Sequence, residues 1–206
     1  IGSVSYVDVQ MDDVAISNQL LKKAKSMGVE IIDNTEVSNF DLAGNIDIGS
    51  QSIKYDFVVN ASGPWVKEAL DKNRINTEYQ IEHVRGSHII VDKKISNPLV
   101  LQNPSDKRII FMLPIIEGTL IGTTEVKHNL AKPIECSKAE ERYLLDNANN
   151  FIREPLYRRN VVSNYSGVRA LVSQGEKNLS SINRDSAIEL NGCLLYTSPS
   201  PRDTPQ

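Results

Sequence analysis

Apolar side chains in the first 32 residues follow a helical spacing that is flanked by two short runs of strand type. Residues 13–27 carry apolar positions at helical intervals, Asp12 is suited to cap the start of that helix, and Gly28 is suited to end it. The runs at residues 4–9 and 29–32 have the composition of strands. A strand, a helix and a strand in this order predict part of a βαβ unit.

The segment that follows alternates short apolar pieces with turn residues. Strand-like pieces between residues 35 and 53 are separated by Gly44-Asn45 and Gly49-Ser50, which are typical of tight turns. We therefore expect a small meander of short strands before the next buried segment.

The stretch around Pro64 predicts a buried strand that ends on small residues and leads into a helix. Residues 57–59 are apolar without alternation, as in a parallel strand covered on both faces, and Pro64 suits the first position of a helix. Ala61, Ser62 and Gly63 leave little side chain at this junction, so a ligand could approach the main chain and meet amides of the first helical turn. An ordinary strand-to-helix turn explains the same residues equally well.

Longer strand-like runs dominate the rest of the chain. Six are predicted, at residues 84–91, 99–102, 108–113, 119–123, 161–168 and 186–190. Ser137 and Glu140 have the spacing of a capping box, which predicts a helix over residues 138–151. We expect a mostly antiparallel sheet. The fold class is therefore α/β (α+β), with a partial Rossmann-like nucleotide-binding domain over residues 1–74 and a substrate domain over residues 75–192.

The charge and composition of the chain indicate which partners to expect among nucleic acids, membranes and metal ions. The net charge is -3 and no run of Lys or Arg forms a stripe, which argues against nucleic acid. No apolar stretch approaches the roughly 20 residues that span a bilayer, although peripheral membrane contact stays open. Cys136 and Cys193 are the two cysteines, and the three histidines lack metal-ligand spacing, so we expect no metal site. So few cysteines favour a reducing, cytoplasmic compartment.

His88 is the candidate general base. It follows Gly86 and Ser87 at the start of an apolar run, so a ligand could approach the imidazole closely. Histidine titrates near neutral pH and can accept a hydroxyl proton there. A structural histidine in a strand is the alternative reading of the same residue.

Arg169 and Arg184 are candidate anion-binding residues. Arg169 follows Tyr165-Ser166-Gly167-Val168 in a run that otherwise reads as a buried strand, and Arg184 lies in Ile182-Asn183-Arg184-Asp185. Two guanidinium groups that converge from separate strands can hold a phosphate or carboxylate through charge-assisted hydrogen bonds. Each arginine taken alone also fits a surface charge.

Five short segments stand in a distinctive order. They are Asn60-Ala61-Ser62-Gly63-Pro64-Trp65, Gly86-Ser87-His88-Ile89-Ile90-Val91, Ile121-Gly122-Thr123-Thr124-Glu125, Tyr165-Ser166-Gly167-Val168-Arg169 and Ile182-Asn183-Arg184-Asp185. This ordered set resembles the aerobic FAD-dependent glycerol-3-phosphate dehydrogenases, from Tyr6 to about Asn191. Ser62, Ala170 and Glu125 stand where that family usually has Thr, Pro and Asp.

The resemblance implies FAD as cofactor, oxidation of sn-glycerol 3-phosphate to dihydroxyacetone phosphate, and transfer of electrons to a membrane quinone. Ala61, Ser62 and Gly63 would line the nucleotide portion of FAD. His88 would accept the proton of the substrate hydroxyl, and Arg169 with Arg184 would hold the phosphate. The resemblance is also compatible with a cytoplasmic protein that attaches peripherally to the inner face of the cell membrane.

Both termini read as incomplete. The family's Gly-x-Gly-x-x-Gly pyrophosphate motif has no counterpart here, so we expect an internal fragment that binds FAD poorly and does not turn over on its own. Residues 193–206 have the Ser/Pro content of a disordered tail and resemble the translation of a sequencing adapter, so we expect an artefact there.

Two other functions fit the same residues. The framework resembles other FAD-dependent oxidases, of amino acids or sarcosine, which would place a carboxylate where we place the phosphate. A non-catalytic nucleotide-binding module would need no base at His88.

Overall fold

The computed structural model describes residues 4–173 and 187–198, and these residues form three helices and three sheets. Helix α1, Asp13–Ser26, begins as predicted, because Asp12 accepts a hydrogen bond from the amide of Ala15 at 2.9 Å. The strands expected on either side of it, at residues 4–9 and 29–32, are absent. Both runs are almost entirely solvent-exposed and have no neighbouring strand among the described residues, so a strand-type composition alone does not make them strands.

The predicted meander is present as a three-stranded antiparallel sheet. Its strands are β1 (Val37–Phe40), β2 (Asn45–Ile48) and β3 (Gln51–Lys54), in the order β1-β2-β3. Gly44 and Gly49 occupy the two connections with positive φ angles of 90° and 59°, a conformation that glycine adopts without strain.

The Pro64 junction has the predicted order of elements. Strand β4, Val58–Asn60, is followed by a 3₁₀ turn, Gly63–Trp65, and by helix α2, Val66–Lys72. The expectation that the strand is covered on both faces is wrong for the described residues, because only alternate side chains are buried. Val58 is 7% exposed, whereas Phe57 and Val59 are 52% and 57% exposed.

The largest sheet contains six strands that pair antiparallel. They are β5 (Gln80–Val91), β6 (Leu99–Gln102), β7 (Ile109–Ile115), β8 (Gly118–Gly122), β9 (Val126–Lys127) and β10 (Val161–Ser173). The strand order is β10-β5-β8-β7-β6, and β9 pairs with β5. This sheet confirms the predicted antiparallel pairing.

Helix α3, Lys138–Asn149, begins at the predicted Ser137–Glu140 capping box and packs against one face of this sheet. Its Leu144, Leu145 and Ala148 join a buried cluster with strand residues. The strand members are Ile89, Val91, Ile110, Met112 and Ile121. Burial of these apolar side chains holds the helix to the sheet and leaves the opposite face of the sheet for other contacts.

The third sheet brings the end of the described chain back to β4. Strands β11 (Ala187–Asn191) and β12 (Leu194–Ser198) pair antiparallel, and β12 pairs parallel with β4. The prediction of a disordered tail is therefore wrong for Leu194–Ser198. Leu194 and Tyr196 are buried with Val58. The alternating apolar residues of this segment therefore face the core, as in a strand.

The division at residue 74 stays a prediction, although β11, which we assigned to the second part, lies in the same sheet as β4. No helix in the described ranges is both long and apolar enough to cross a bilayer.

Candidate functional site

One face of the six-stranded sheet is covered by α3, and the other carries the candidate site. Side chains of a strand alternate between the two faces, so Ile89 faces α3 and its neighbour His88 faces away. The pairing register places His88 opposite Tyr165 on one side and opposite Gly122 on the other, and Gly86 opposite Gly167. We call this surface the open face. Its central residues are Gly86, His88, Gly122, Tyr165, Gly167 and Arg169.

His88 is a half-buried imidazole that stacks on Tyr165. The ring centroids are 4.9 Å apart and the ring planes differ by 14°. Nδ1 of His88 is buried and has no hydrogen-bond partner among the described residues. Burial, followed by the positive charge of Arg169, lowers the pKa of His88 to about 4, against a smaller opposing effect of the Asp13 carboxylate. At neutral pH the imidazole is therefore uncharged and able to accept a proton.

The side chain of Arg169, on β10, extends over Gly86 of β5, two residues before His88. A Cβ added at Gly86 would lie 2.8 Å from Nη1 of Arg169 and 2.6 Å from Oγ1 of Thr123. The missing side chain at Gly86 therefore makes the space that the guanidinium occupies. A Cβ added at Gly167, directly opposite on β10, would meet nothing within 4 Å. Bare backbone with a cation at its edge is a surface on which a small anionic molecule can lie.

Arg184 lies outside the described residues, so its predicted place beside Arg169 stays a prediction. The structure does bring His88 and Arg169 together on one face, as the candidate chemistry requires. Their roles in that chemistry remain predictions.

The β4 junction has an internal hydrogen-bond network that the sequence did not indicate. Oδ1 of Asn60 accepts from the amide of Ser62 at 3.2 Å and from its hydroxyl at 2.6 Å, while Nδ2 of Asn60 donates to the carbonyl of Val66 at 3.2 Å. The Ser62 amide therefore already donates a hydrogen bond within the protein and is not available to bind an anion. Gly63 has a φ of +58° and open space where a Cβ would lie, so the main chain is accessible there.

The junction and the large sheet are in direct contact. A ring nitrogen of His83, Nε2, lies 2.7 Å from the carbonyl oxygen of Pro64, and the 3₁₀ turn packs against β10. His83 pairs with Ala170, the neighbour of Arg169. The accessible backbone at Gly63 and the guanidinium of Arg169 are therefore connected through a few residues of β5 and β10.

Glu140 organises a buried polar cluster beneath the open face, and sequence reasoning recognised only its capping role. Its carboxylate accepts hydrogen bonds from Ser87 Oγ at 2.7 Å, Thr124 Oγ1 at 2.8 Å and Ser137 Oγ at 2.6 Å, and it pairs with Arg85 at 2.5 Å. These partners come from β5, from the segment after β8 and from the start of α3. The signal that could have found it is the polar pair Arg85 and Ser87 in a segment predicted as a strand.

The charge of Glu140 is stabilised despite its burial, since the residue is only 4% exposed. Burial by itself raises the pKa of a carboxyl group, but the hydrogen bonds from Ser137, Ser87, Arg85 and Thr124 together outweigh it and lower the pKa of Glu140 to about 2. A folded-state pKa below the unfolded value contributes stability above the unfolded value. That contribution is lost as the pH falls from about 4.5 toward about 2.

We expect Glu140→Gln to lower the free energy of unfolding by about 3 kcal/mol at neutral pH, because it leaves the largely buried Arg85 without a counter-charge. Denaturant unfolding of the chain measures this change. The loss should shrink as the pH approaches 2, where the wild-type carboxyl is also protonated. Asp146→Asn, an exposed change on the same helix, is the matched control and should leave stability within about 0.5 kcal/mol of wild type. Equal effects of the two variants would contradict a special role for Glu140.

The described residues contain no group of three or more His, Cys, Asp or Glu side chains that could hold a metal ion.

Comparison with known proteins identifies the family. The model of the family described as "DAO: FAD dependent oxidoreductase" matches residues 1–195. The chain belongs to this family. The family's cofactor is FAD, so the partial Rossmann-like part and the antiparallel sheet described above are parts of an FAD-dependent oxidoreductase fold.

Similar curated proteins are phosphorylated-polyol dehydrogenases. The aerobic glycerol-3-phosphate dehydrogenase of Escherichia coli K12 is 30% identical over 90% of this chain and 40% of its own length. The D-erythritol 1-phosphate dehydrogenase of Brucella abortus is 32% identical, again over 90% of this chain and 40% of its own length. The aerobic glycerol-3-phosphate dehydrogenase of Staphylococcus epidermidis is 27% identical over 89% of this chain and 36% of its own length. The chain thus spans about two fifths of the relatives' length.

Solved structures share the fold. The glycerol-3-phosphate dehydrogenase of Bacillus halodurans, complexed with FAD, superposes with a TM-score of 0.77 and 24% identity, over 91% of this chain and 39% of its own. Glycine oxidase from Geobacillus kaustophilus superposes with a TM-score of 0.64 and 19% identity, over 91% of this chain and 48% of its own. At these identities the likeness shows the fold alone, and amino acid oxidases share it.

The residues present fit FAD in part. Ala61, Ser62 and Gly63 are all exposed, and a ligand can approach the backbone at Gly63 without meeting a side chain. The paired Ser62 amide means that contacts there would come from the Ser62 hydroxyl oxygen and from neighbouring main chain. The open face offers a second bare surface at Gly167.

Proposed function

We propose that the protein encoded by the whole gene oxidises sn-glycerol 3-phosphate to dihydroxyacetone phosphate with FAD as cofactor. The observation that carries this proposal is the open face, where an uncharged imidazole and a guanidinium flank bare backbone. A phosphorylated alcohol needs a base for its hydroxyl proton and a cation for its phosphate. The names of the Escherichia coli and Staphylococcus epidermidis relatives support the same substrate.

In this proposal His88 accepts the hydroxyl proton at Nε2, because Nδ1 is buried away from any substrate. Arg169, together with Arg184, binds the phosphate and so holds the carbon to be oxidised at a fixed distance from the imidazole. Ala61, Ser62 and Gly63 hold the nucleotide portion of FAD. When bound, FAD supplies the two-electron acceptor that the oxidation requires.

Residues 1–74 serve in this proposal as a partial FAD-binding domain and residues 75–192 as the substrate domain. Transfer of electrons to a quinone, from a cytoplasmic protein attached peripherally to the inner membrane face, completes the proposed function. A flotation assay with vesicles that contain quinone tests the attachment, and reduction of a soluble quinone analogue tests the acceptor.

A second candidate substrate is D-erythritol 1-phosphate. The Brucella abortus relative that bears this name is as similar to the chain as the glycerol-3-phosphate dehydrogenases are. Both substrates share a phosphate and a secondary alcohol, so His88 and Arg169 keep the same roles.

A substrate panel tests the function. The protein encoded by the whole gene is assayed by dye reduction with glycerol 3-phosphate, D-erythritol 1-phosphate, glycerol, glycine and sarcosine. We expect the highest kcat/KM with glycerol 3-phosphate and no turnover of unphosphorylated glycerol, since glycerol carries no phosphate for Arg169 to bind. A preference for D-erythritol 1-phosphate would favour the second candidate. Turnover of glycine or sarcosine alone would overturn both, and FAD binding without turnover of any compound would favour a binding module.

A further inference from the structure

The imidazole of His88 is held in place without a hydrogen bond from Nδ1 to a described residue. Nδ1 is buried and has no hydrogen-bond partner among the described residues. A catalytic histidine is commonly oriented by a hydrogen bond from its second ring nitrogen. Here the ring must be fixed by packing instead.

Gly122 provides one side of that packing. It lies opposite His88 on β8, and a Cβ added to it would lie 2.1 Å from Cδ2 and 2.7 Å from Nε2 of the imidazole. The ring therefore rests directly on the backbone of residue 122. Any side chain at this position would push the ring off the strand, because 2.1 Å is far below van der Waals contact.

Tyr165 provides the other side. It lies opposite His88 on β10, the strand that flanks β5 on the side away from β8. Its ring stacks on the imidazole with nearly parallel planes. Stacked aromatic pairs contribute roughly 0.5–1.5 kcal/mol beyond their buried area, enough to favour one orientation of the ring.

We propose that Tyr165 and Gly122 are the positioning residues of the base: the tyrosine ring and the bare backbone of Gly122 fix the His88 imidazole so that Nε2 lies over Gly122 on the open face. This inference rests on the proposed function. The charged groups that face the imidazole are Arg169 on β10 and Asp13 at the start of α1. They set its charge state, whereas Tyr165 and Gly122 set its direction.

The first test observes the ring and needs no substrate. In the 206-residue chain, NMR of ¹³C-labelled histidine reports the Cε1–Hε1 signal of each of the three histidines, and His88→Gln identifies the one that belongs to His88. In wild type the signal should carry the ring-current shift of the stacked tyrosine and stay constant between about pH 5 and 8. Tyr165→Phe should preserve both features, because it keeps the stacked ring.

Tyr165→Leu should remove the ring-current shift, and Gly122→Ala should move the same signal by displacing the ring. Leucine keeps apolar volume at residue 165, so this variant is expected to fold. A His88 signal that is the same in wild type, Tyr165→Phe and Tyr165→Leu would overturn the proposal whatever the substrate.

The second test uses the protein encoded by the whole gene. Tyr165→Leu should lower kcat by roughly 10- to 100-fold with KM changed less than about threefold, since a misplaced base affects the reaction more than binding. Tyr165→Phe should restore kcat. If kcat is unchanged in Tyr165→Leu while the NMR signal moves, Tyr165 orients the ring but this orientation does not contribute to catalysis. If wild type shows no turnover, the proposed function fails and the NMR result still decides the packing.

Discussion

His88→Gln should lower kcat of the protein encoded by the whole gene by about 10²- to 10⁴-fold, the range that general-base catalysis contributes. Glutamine fills much of the same volume and reaches the position of Nε2, but its amide cannot accept a proton at neutral pH. KM should change little, because phosphate binding is assigned to Arg169. Steady-state kinetics with glycerol 3-phosphate measures both values, and the FAD content per protein shows whether the site is intact.

The pH dependence should identify the same base. Burial and the charge of Arg169 lower the pKa of His88 to about 4, so the imidazole is uncharged and competent at all higher pH values. The acid limb of kcat/KM should therefore lie near pH 4 rather than near the ordinary 6.5. Removal of the Arg169 charge should move the limb upward, since a positive neighbour disfavours imidazolium. An undiminished kcat in His88→Gln would show that another group accepts the proton.

The sequence predicted best those elements whose signals are local. Helices α1 and α3 were located by Asp12 and by the Ser137–Glu140 box, because a capping side chain and the amide that donates to it lie within one turn. Most strands of the large sheet were also located, since long apolar runs favour strands wherever they pair. The runs at residues 4–9 and 29–32 failed because a strand also requires a neighbour, which a run of side chains does not report.

The features that the sequence analysis did not predict depend on contacts between residues far apart in the chain. Residues 194–198 read as a tail because of the Ser/Pro content around them, whereas the structure pairs them antiparallel with β11 and parallel with β4, which lies far away in the sequence. Glu140 was recognised as a cap, but its bonds to Ser87 and Thr124 depend on how the sheet packs against α3. His88 and Arg169 were each proposed from local motifs. Their proximity follows from the register of β10 on β5, which the sequence does not specify.

Arg169→Ala should raise KM for glycerol 3-phosphate by roughly 100-fold, because hydrogen bonds to a charged group contribute about 1.5–3 kcal/mol and each 1.4 kcal/mol is a factor of ten. The guanidinium lies over Gly86, beside the open backbone of Gly167, where the proposed function places the substrate phosphate. Arg169→Lys keeps the charge but loses the planar fork, so it should recover only part of the affinity. Initial rates over a range of substrate concentrations measure these effects.

Arg159→Ala is the matched control for this prediction, since Arg159 is exposed and stacks over Tyr157 in the turn that precedes β10. It removes the same charge from the protein and should leave KM within about twofold of wild type, because the charge of an exposed residue is screened by solvent and salt. A similar rise of KM in both variants would mean that net charge steers the substrate and that Arg169 makes no special contact. A rise confined to Arg169→Ala, together with loss of the discrimination against unphosphorylated glycerol, would assign the phosphate to this guanidinium. The phosphate site would then lie on β10, within reach of the imidazole on β5 that accepts the hydroxyl proton.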